Sequence, residues 1–237
     1  MPAISRMAAS FACFAVATAL AADRQEARGV SGFTGLSLRA PVNVDLVQGD
    51  SEGLVLEGDP DAIARIETVV ENGTLKIRYS AHEHAWNLAK IRAHVRMKTV
   101  ESLAIAGSGD IAAQSLRAKD LRVSISGSGD VRIGALAADH LSASISGSGD
   151  LSVAGKAERT ETSIAGSGDL KAARLESREA RVSIAGSGDA TVWAKDQVSV
   201  SIVGSGDVRY YGDPRLERSV AGSGSVQRLA AAPVPGS

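Results

Sequence analysis

The chain has 237 residues, of which 44% are hydrophobic and 22% charged, values that fit a folded domain and exclude a largely disordered chain. Its 26 lysines and arginines nearly balance its 27 aspartates and glutamates, so the strongly basic surface of a nucleic-acid-binding protein is excluded. Glycine is abundant (25 residues) while aromatic residues make up only 3%, so the core has to be built from small aliphatic side chains.

The N-terminus is typical of a secretory signal peptide. Arg6 is followed by an apolar run over residues 7–20 and by Ala19-Leu20-Ala21, which has the pattern of a cleavage site. The run is shorter than the roughly 18 residues of a transmembrane helix, the alternative reading. We therefore predict that residues 1–21 are removed near Ala21, and that the mature chain is exported to the periplasm or the medium with no membrane span. Cys13 leaves with the signal peptide, so no disulfide is expected.

Residues 22–100 contain short strand-like segments separated by turn signals. Asn72-Gly73, between two such segments, is a strong β-hairpin signal. Asp59-Pro60 is typical of the start of a helical turn. The predicted strands are 33–38, 42–47, 54–57 and 91–97. We expect this region to cover one end of the repeat that follows, hiding a strand edge that would otherwise favour aggregation.

Residues 101–228 consist of one unit repeated about every 19 residues. Gly-Ser-Gly-Asp recurs six times and then decays to Gly-Ser-Gly-Ser, with steps of 20, 20, 19, 20, 18 and 18 residues between first glycines. An aliphatic residue stands two positions before each tetrapeptide, and usually another directly after it. The tetrapeptides begin at Gly107, Gly127, Gly147, Gly166, Gly186, Gly204 and Gly222.

The residues around each tetrapeptide alternate with period two. Ile125 and Val131 share one face of an extended chain, whereas Ser124 and Asp130 share the other. A unit of this length cannot bury its apolar face alone, so units must stack with like residues about 4.8 Å apart. We therefore predict an all-β fold, a parallel β-helix (β-solenoid) of about seven coils over 101–228 with a flexible tail over 229–237. An up-and-down barrel is less favoured, and a propeller blade needs about 40 residues.

The glycines have a mechanical reason to recur at one point of every coil. A residue without Cβ permits a sharp bend and a close approach of backbone to backbone. We expect the coil to turn inward at each tetrapeptide.

These segments together resemble a known family. The signal peptide, the run GFTGLSL…PVNVDLVQGD…LVLEG…VVENGTLKI and the reiterated SISGSGDV units are similar to the bacterial auto-transporter adhesin, head GIN domain family, from about Gly29 to Val226. The resemblance implies a parallel β-solenoid that a bacterium exports and uses in adhesion. It brings no catalytic residues.

The last residue of each tetrapeptide would form a column of carboxylates about 4.8 Å apart, whose neighbours repel by about 0.9 kcal/mol even in water. In one interpretation a cation, Ca²⁺ above all, bridges neighbouring carboxylates. In the other, each Asp accepts hydrogen bonds from the backbone of its own glycine turn, and basic residues two positions later screen some coils. We favour the second, because the repeat lacks the Gly-Gly-x-Gly-x-Asp spacing of calcium-binding solenoids. The column is Asp110, Asp130, Asp150, Asp169, Asp189 and Asp207, and the basic residues are Arg132, Lys171 and Arg209.

Serines would form two rows of hydroxyls on the outer surface. Such rows would suit a glycan or a protein partner, and an ice lattice less well because Asp and Arg interrupt them. In the alternative interpretation the serines only satisfy the turn and keep the surface soluble. The candidate binding residues are Ser124, Ser128, Ser144, Ser148, Ser163, Ser167, Ser183 and Ser187.

An enzyme on the same scaffold is the alternative function, since parallel β-helices host polysaccharide lyases. Near-identical coils, however, offer no unique catalytic constellation. His82-Glu83-His84, outside the repeat, lacks the H-E-x-x-H spacing of a zinc site, and His94 and His140 stand alone. We therefore predict no catalytic residue and no cofactor. The expected function is an exported, non-enzymatic module that binds a protein or glycan at the cell surface or envelope.

Overall fold

The computed structural model describes residues 24–80 and 91–230. The predicted signal peptide, the His82-Glu83-His84 cluster and residues 231–237 lie outside the described residues. The described chain folds into strands with one short helix, and none of its helices has the length and apolar character needed to cross a membrane.

The N-terminal region contains seven strands and the helix. Six of the strands agree closely with the predicted segments, and the first strand was not predicted. At the predicted hairpin, β5 and β6 pair antiparallel with Glu71 opposite Thr74, and both Asn72 and Gly73 have positive φ. Asp59 caps the helix by accepting hydrogen bonds from the N–H groups of Asp61 and Ala62. The elements are β1 (Arg24–Arg28), β2 (Gly35–Leu38), β3 (Asn43–Gln48), β4 (Gly53–Gly58), α1 (Pro60–Ala64), β5 (Ile66–Glu71), β6 (Thr74–Tyr79) and β7 (Arg92–Met97).

The repeat folds into a parallel β-solenoid, as predicted. From β9 to β13 each strand makes one whole coil, which begins after one Gly-Ser-Gly-Asp and runs into the next. The solenoid has about six turns instead of about seven, because seven tetrapeptides delimit six intervals. Its strands are β8 (Ser102–Gly107), β9 (Ile111–Gly127), β10 (Val131–Gly147), β11 (Leu151–Gly166), β12 (Leu170–Gly186), β13 (Ala190–Gly204), β14 (Val208–Tyr211), β15 (Arg215–Gly222) and β16 (Val226–Arg228).

Like residues stack in the predicted register. Ile145 lies between Ile125 and Ile164 on the neighbouring coils, and all three side chains are buried. The residues that follow the tetrapeptides, such as Val131 and Leu151, are buried in the same interior. The core is therefore a narrow stack of aliphatic columns, which explains how the fold succeeds with few aromatic residues.

Glycine is required at the tetrapeptide corner for two separate reasons. The first glycine has a positive φ, +124° at Gly147, which side-chain-bearing residues rarely adopt. The second glycine lies against the preceding coil, so that a Cβ at Gly149 would overlap the carbonyl oxygen of Gly129. This confirms the predicted inward turn and close backbone approach.

The two ends of the solenoid differ. At the N-terminal end, β2 and β3 pair in parallel with β8 and β9, so strands of the N-terminal region occupy the edge of the first repeat coil. At the other end, Val220 is 39% exposed, because within the described chain no further coil lies over β15. Arg218 occupies the inward column position that Val200 holds one coil earlier. An inward charge on a final strand disfavours the addition of another strand.

Candidate functional site

The aspartate column is a hydrogen-bonded ladder that runs from coil to coil. Oδ1 of Asp110 accepts the backbone N–H of Asp130 at 2.9 Å, and Oδ1 of Asp130 accepts the N–H of Asp150 at 3.0 Å. The same bond, at 2.9 to 3.0 Å, continues to Asp169, Asp189, Asp207 and Ser225. Backbone N–H groups therefore do hold the carboxylates, but the donor belongs to the following coil and not to the residue's own glycine turn. The sequence could not show this, because the bond joins residues about 20 positions apart.

The predicted basic residues lie beside the second carboxylate oxygens. Arg132 is 2.6 Å from Oδ2 of Asp130 and 3.8 Å from Oδ2 of Asp110. Lys171 is 2.6 Å from Oδ2 of Asp150, and this hydrogen bond raises the pKa of the Lys171 ammonium above its ordinary value.

Arg209 completes this set by lying between the last two carboxylates of the column. Its guanidinium is 3.6 Å from Asp189 and 3.7 Å from Asp207. The column two positions after each Asp therefore alternates between neutral and cationic residues along consecutive coils. In order it reads Ala112, Arg132, Ser152, Lys171, Thr191 and Arg209. One cation serves about two carboxylates, which halves the charge of the ladder.

The ladder stops at Ser225, where the last tetrapeptide carries serine instead of aspartate. Both the hydroxyl and the N–H of Ser225 donate to Oδ1 of Asp207. These bonds, the hydroxyl above all, lower the pKa of the Asp207 carboxyl. A further carboxylate here would find no N–H from a following coil within the described chain.

The geometry gives the calcium hypothesis no ligand set. Among residues 24–80 and 91–230, no three Asp, Glu, His or Cys side chains converge in a way that would hold a metal ion. The carboxylate oxygens instead face backbone N–H groups on one side and basic side chains on the other.

The candidate serines lie in two rows, as the spacing predicts. Ser124, Ser144, Ser163 and Ser183 stack directly on consecutive coils and face outward. The corner serines are exposed, and each donates its N–H to a glycine carbonyl of the preceding coil, for example Ser148 to Gly127 at 2.9 Å. In the described chain these hydroxyls form no hydrogen bond with protein groups, so they are available to a partner. The corner row is Ser128, Ser148, Ser167 and Ser187.

His94 is not isolated. Its Nε2 lies 3.2 Å from a carboxylate oxygen of Glu57, and its Nδ1 lies 3.6 Å from Asp45. Hydrogen bonds from Gln25 and then His94 lower the pKa of Glu57. The contact comes from the pairing of β4 with β7, which neither sequence segment reveals alone.

A groove that sequence reasoning missed follows another corner of the coils. It has a volume of about 1270 Å³, and the column that contains Arg132 and Lys171 forms part of its lining. Here the register between coils slips three times in succession, after Ile133, Ser152 and Lys171. Such β-bulges redirect the chain and are common beside functional sites. The sequence indicates a change of register only through the length of the units, which varies between 18 and 20 residues. The unit length does not show at which position of the coil the register changes.

Comparisons with known proteins agree with this architecture. The family described as "Putative auto-transporter adhesin, head GIN domain" matches residues 32–214. The chain belongs to this family. The family resemblance predicted from the sequence is thus confirmed over most of the chain. A comparison with curated proteins finds no match.

Several solved structures are similar to this head GIN domain. A "putative adhesin" from Bacteroides fragilis is 23% identical with a TM-score of 0.84, and the match covers 87% of this chain and 97% of that one. A "Putative lipid binding protein" from Parabacteroides distasonis is 25% identical with a TM-score of 0.73, covering 88% and 97%. A "putative adhesin" from Parabacteroides merdae is 19% identical with a TM-score of 0.69, covering 88% and 97%. The two adhesin likenesses, below 25% identity, establish the fold alone.

Proposed function

We propose that this head GIN domain is an exported, non-enzymatic, adhesin-like module that binds a protein or glycan at the bacterial cell envelope. The observation that carries the proposal is the row of outward serines in register on consecutive coils, whose hydroxyls are bonded to no group of residues 24–80 and 91–230. Hydroxyls at a fixed spacing on a rigid sheet lose little conformational entropy on binding a repetitive partner. The description of the family and the names of two structural neighbours, both called adhesins, support an exported adhesin-like role.

Charge pairing in the repeat supports a binding role over the alternative of a polysaccharide lyase. A lyase needs one carboxylate or base whose surroundings differ from those of its neighbours. Each ladder aspartate instead accepts the backbone N–H of the equivalent residue on the following coil, as with Asp130 and Asp150. Incubation with acidic polysaccharides should therefore yield no products, and turnover that one carboxylate substitution abolishes would overturn the proposal.

The binding surface can be tested with variants that fill the serine row. Replacing Ser144 and Ser163 together by glutamate places bulk and charge on this face without touching the core. Glu158→Ser with Arg178→Ser is the matched control on another face, where both side chains are exposed. We expect binding of the mature chain to isolated cell-envelope fractions to fall at least about tenfold for the serine variant only. Equal binding by both variants would contradict the assignment.

Export is tested separately from binding. N-terminal sequencing of the protein from its native host should show a mature chain that begins at Ala22 or Asp23. A chain that retains Met1 in the cytosol would refute export while leaving the binding test intact.

A second candidate function is the binding of a lipid. The name of the Parabacteroides distasonis neighbour raises it, and in this chain the groove at the bulged corner favours it. Seven alanine and glycine residues contribute to the lining of this groove, among them Ala112, Gly134, Ala135 and Ala154. A mostly apolar trough suits a hydrocarbon chain better than a hydroxyl-rich sugar.

A further inference from the structure

The groove has the length of a single acyl chain. Ala112, Arg132, Ser152, Lys171 and Thr191 line it on five consecutive coils. At about 4.8 Å per coil, these positions span about 19 Å. One leaflet of a bilayer, half of a hydrocarbon core of about 30 Å, holds an acyl chain about 15 Å long. The groove therefore accommodates one extended chain parallel to the solenoid axis.

The bulges explain why a trough exists at this corner. Where the register slips, the chain places residues without long side chains toward the solvent, among them Gly134, Ala135 and Ala173. At the N-terminal end of the trough, Val47 is 58% exposed, an unusual position for a large aliphatic side chain in this molecule. The floor and this end therefore present apolar surface to an occupant.

The charged groups that line the groove are mostly cationic. Arg132, Lys156, Lys171 and Arg174 line the groove along its length. Its one lining carboxylate among the described residues, Asp45, lies at the N-terminal end, 3.6 Å from Arg92. Lys156 is exposed and forms no ion pair with any described residue. An anionic group would therefore be attracted to Lys156, whose charge no described carboxylate neutralises.

We infer that the groove binds a single-chain anionic amphiphile, with its tail directed toward Val47 and its head group beside Lys156. The inference rests on lipid binding, the second candidate function above. It adds the binding site, the direction in which the tail lies and the negative charge of the head group. A polyanionic glycan is disfavoured as the occupant, because Arg132 and Lys171 already neutralise ladder carboxylates.

The first test fills the groove. The mature chain is titrated with a fluorescent long-chain fatty acid below its micelle concentration. Ala135→Trp places a large ring on the floor, and Ala185→Trp is the matched control at an exposed position of another face. We expect at least about tenfold weaker binding for Ala135→Trp alone, with unchanged melting temperatures. Equal binding by both variants would show that the fatty acid lies elsewhere and would overturn the site.

The second test separates the head group from the tail. Lys156→Glu should weaken fatty-acid binding about tenfold, whereas Lys119→Glu, an exposed lysine outside the groove, should leave it unchanged. The corresponding fatty alcohol should bind more weakly than the acid and should not respond to Lys156→Glu. If acid and alcohol bind equally, lipid binding stands and the charge inference fails. If neither binds, or if an acidic polysaccharide displaces the acid at low concentration, both the inference and the second candidate function fail.

Discussion

Two corners of each coil differ in how strictly the sequence repeats from one coil to the next. At the tetrapeptide corner the sequence repeats almost unchanged, because positive φ, close backbone approach and the aspartate ladder each demand a particular residue. At the bulged corner the register slips between coils and the residues vary from one coil to the next. Repetition therefore marks the corner where stacking constrains each residue, whereas the corner that varies from coil to coil forms a groove.

The strongest test of this contrast is Gly149→Ala. The new Cβ would overlap the backbone carbonyl oxygen of Gly129 and crowd the Cγ2 atom of the buried Ile125. We expect a loss of about 3 kcal/mol or more in the free energy of unfolding, measured by urea denaturation.

Two control variants accompany Gly149→Ala. Gly49→Ala adds the same methyl group at a position with nothing within 4 Å, and should be neutral or slightly stabilising. Ala135→Ser, on the exposed bulged corner, should change stability by about 0.5 kcal/mol or less. A tolerated Gly149→Ala would break the distinction between the corners.

The two faces of the coil give the next largest difference. Ile145 is buried between like residues, so Ile145→Ala should cost about 2 to 5 kcal/mol. Ser144, its exposed neighbour, should change stability by about 0.5 kcal/mol or less when replaced by alanine. Equal sensitivity of the melting temperature at both positions would contradict the two-faced strand.

The ladder can be divided into its hydrogen bond and its charge. Asp150→Asn keeps an oxygen that can accept the N–H of Asp169 but loses the charge beside Lys171, so we expect a change within about 1 kcal/mol. Asp150→Ala removes the acceptor and should cost about 1 to 3 kcal/mol, because a partly buried N–H loses its partner.

The same variants test for calcium by thermal denaturation. The melting temperature of the unmodified chain should be identical in a chelator and in millimolar Ca²⁺. A calcium-dependent rise that Asp150→Asn abolishes would restore the metal hypothesis.

The sequence predicted the part of the fold that repetition determines. The period, the alternation around Ile125 and Ser124, and the glycine tetrapeptide were sufficient for a solenoid in the correct register, because stacking repeats each local choice in every coil. The hairpin at Asn72-Gly73 was equally predictable, because both residues tolerate the positive φ that its turn requires.

The features that the sequence left open depend on contacts between coils. The donor to each ladder carboxylate lies about one coil away, as with Asp169 and Asp150. The groove arises where the register between coils shifts. A unit that is one or two residues shorter could lose those residues at several positions of the coil, so the sequence does not locate the shift. His94 contacts Glu57 because β4 and β7 pair antiparallel, and this pairing cannot be predicted from the order of the two strands along the chain.

The smallest expected effect concerns the end of the ladder. Ser225 donates its hydroxyl and its N–H to Asp207, which lowers the pKa of that carboxyl in the folded state. A lowered carboxyl pKa stabilises the fold above the pKa of the unfolded chain, and this contribution is lost as pH falls through the folded-state pKa. Ser225→Ala removes the hydroxyl, the larger cause, and keeps the N–H bond.

We expect the pKa of Asp207 in Ser225→Ala to rise toward its ordinary value, followed by the carboxyl carbon chemical shift in an acid titration. Because the pKa of the variant is less depressed, its stability should depend less steeply on pH in the acid range, while the two proteins should differ most at neutral pH. If the pKa of Asp207 is the same in the unmodified chain and in Ser225→Ala, the hydroxyl of Ser225 has no special electrostatic role at the end of the ladder.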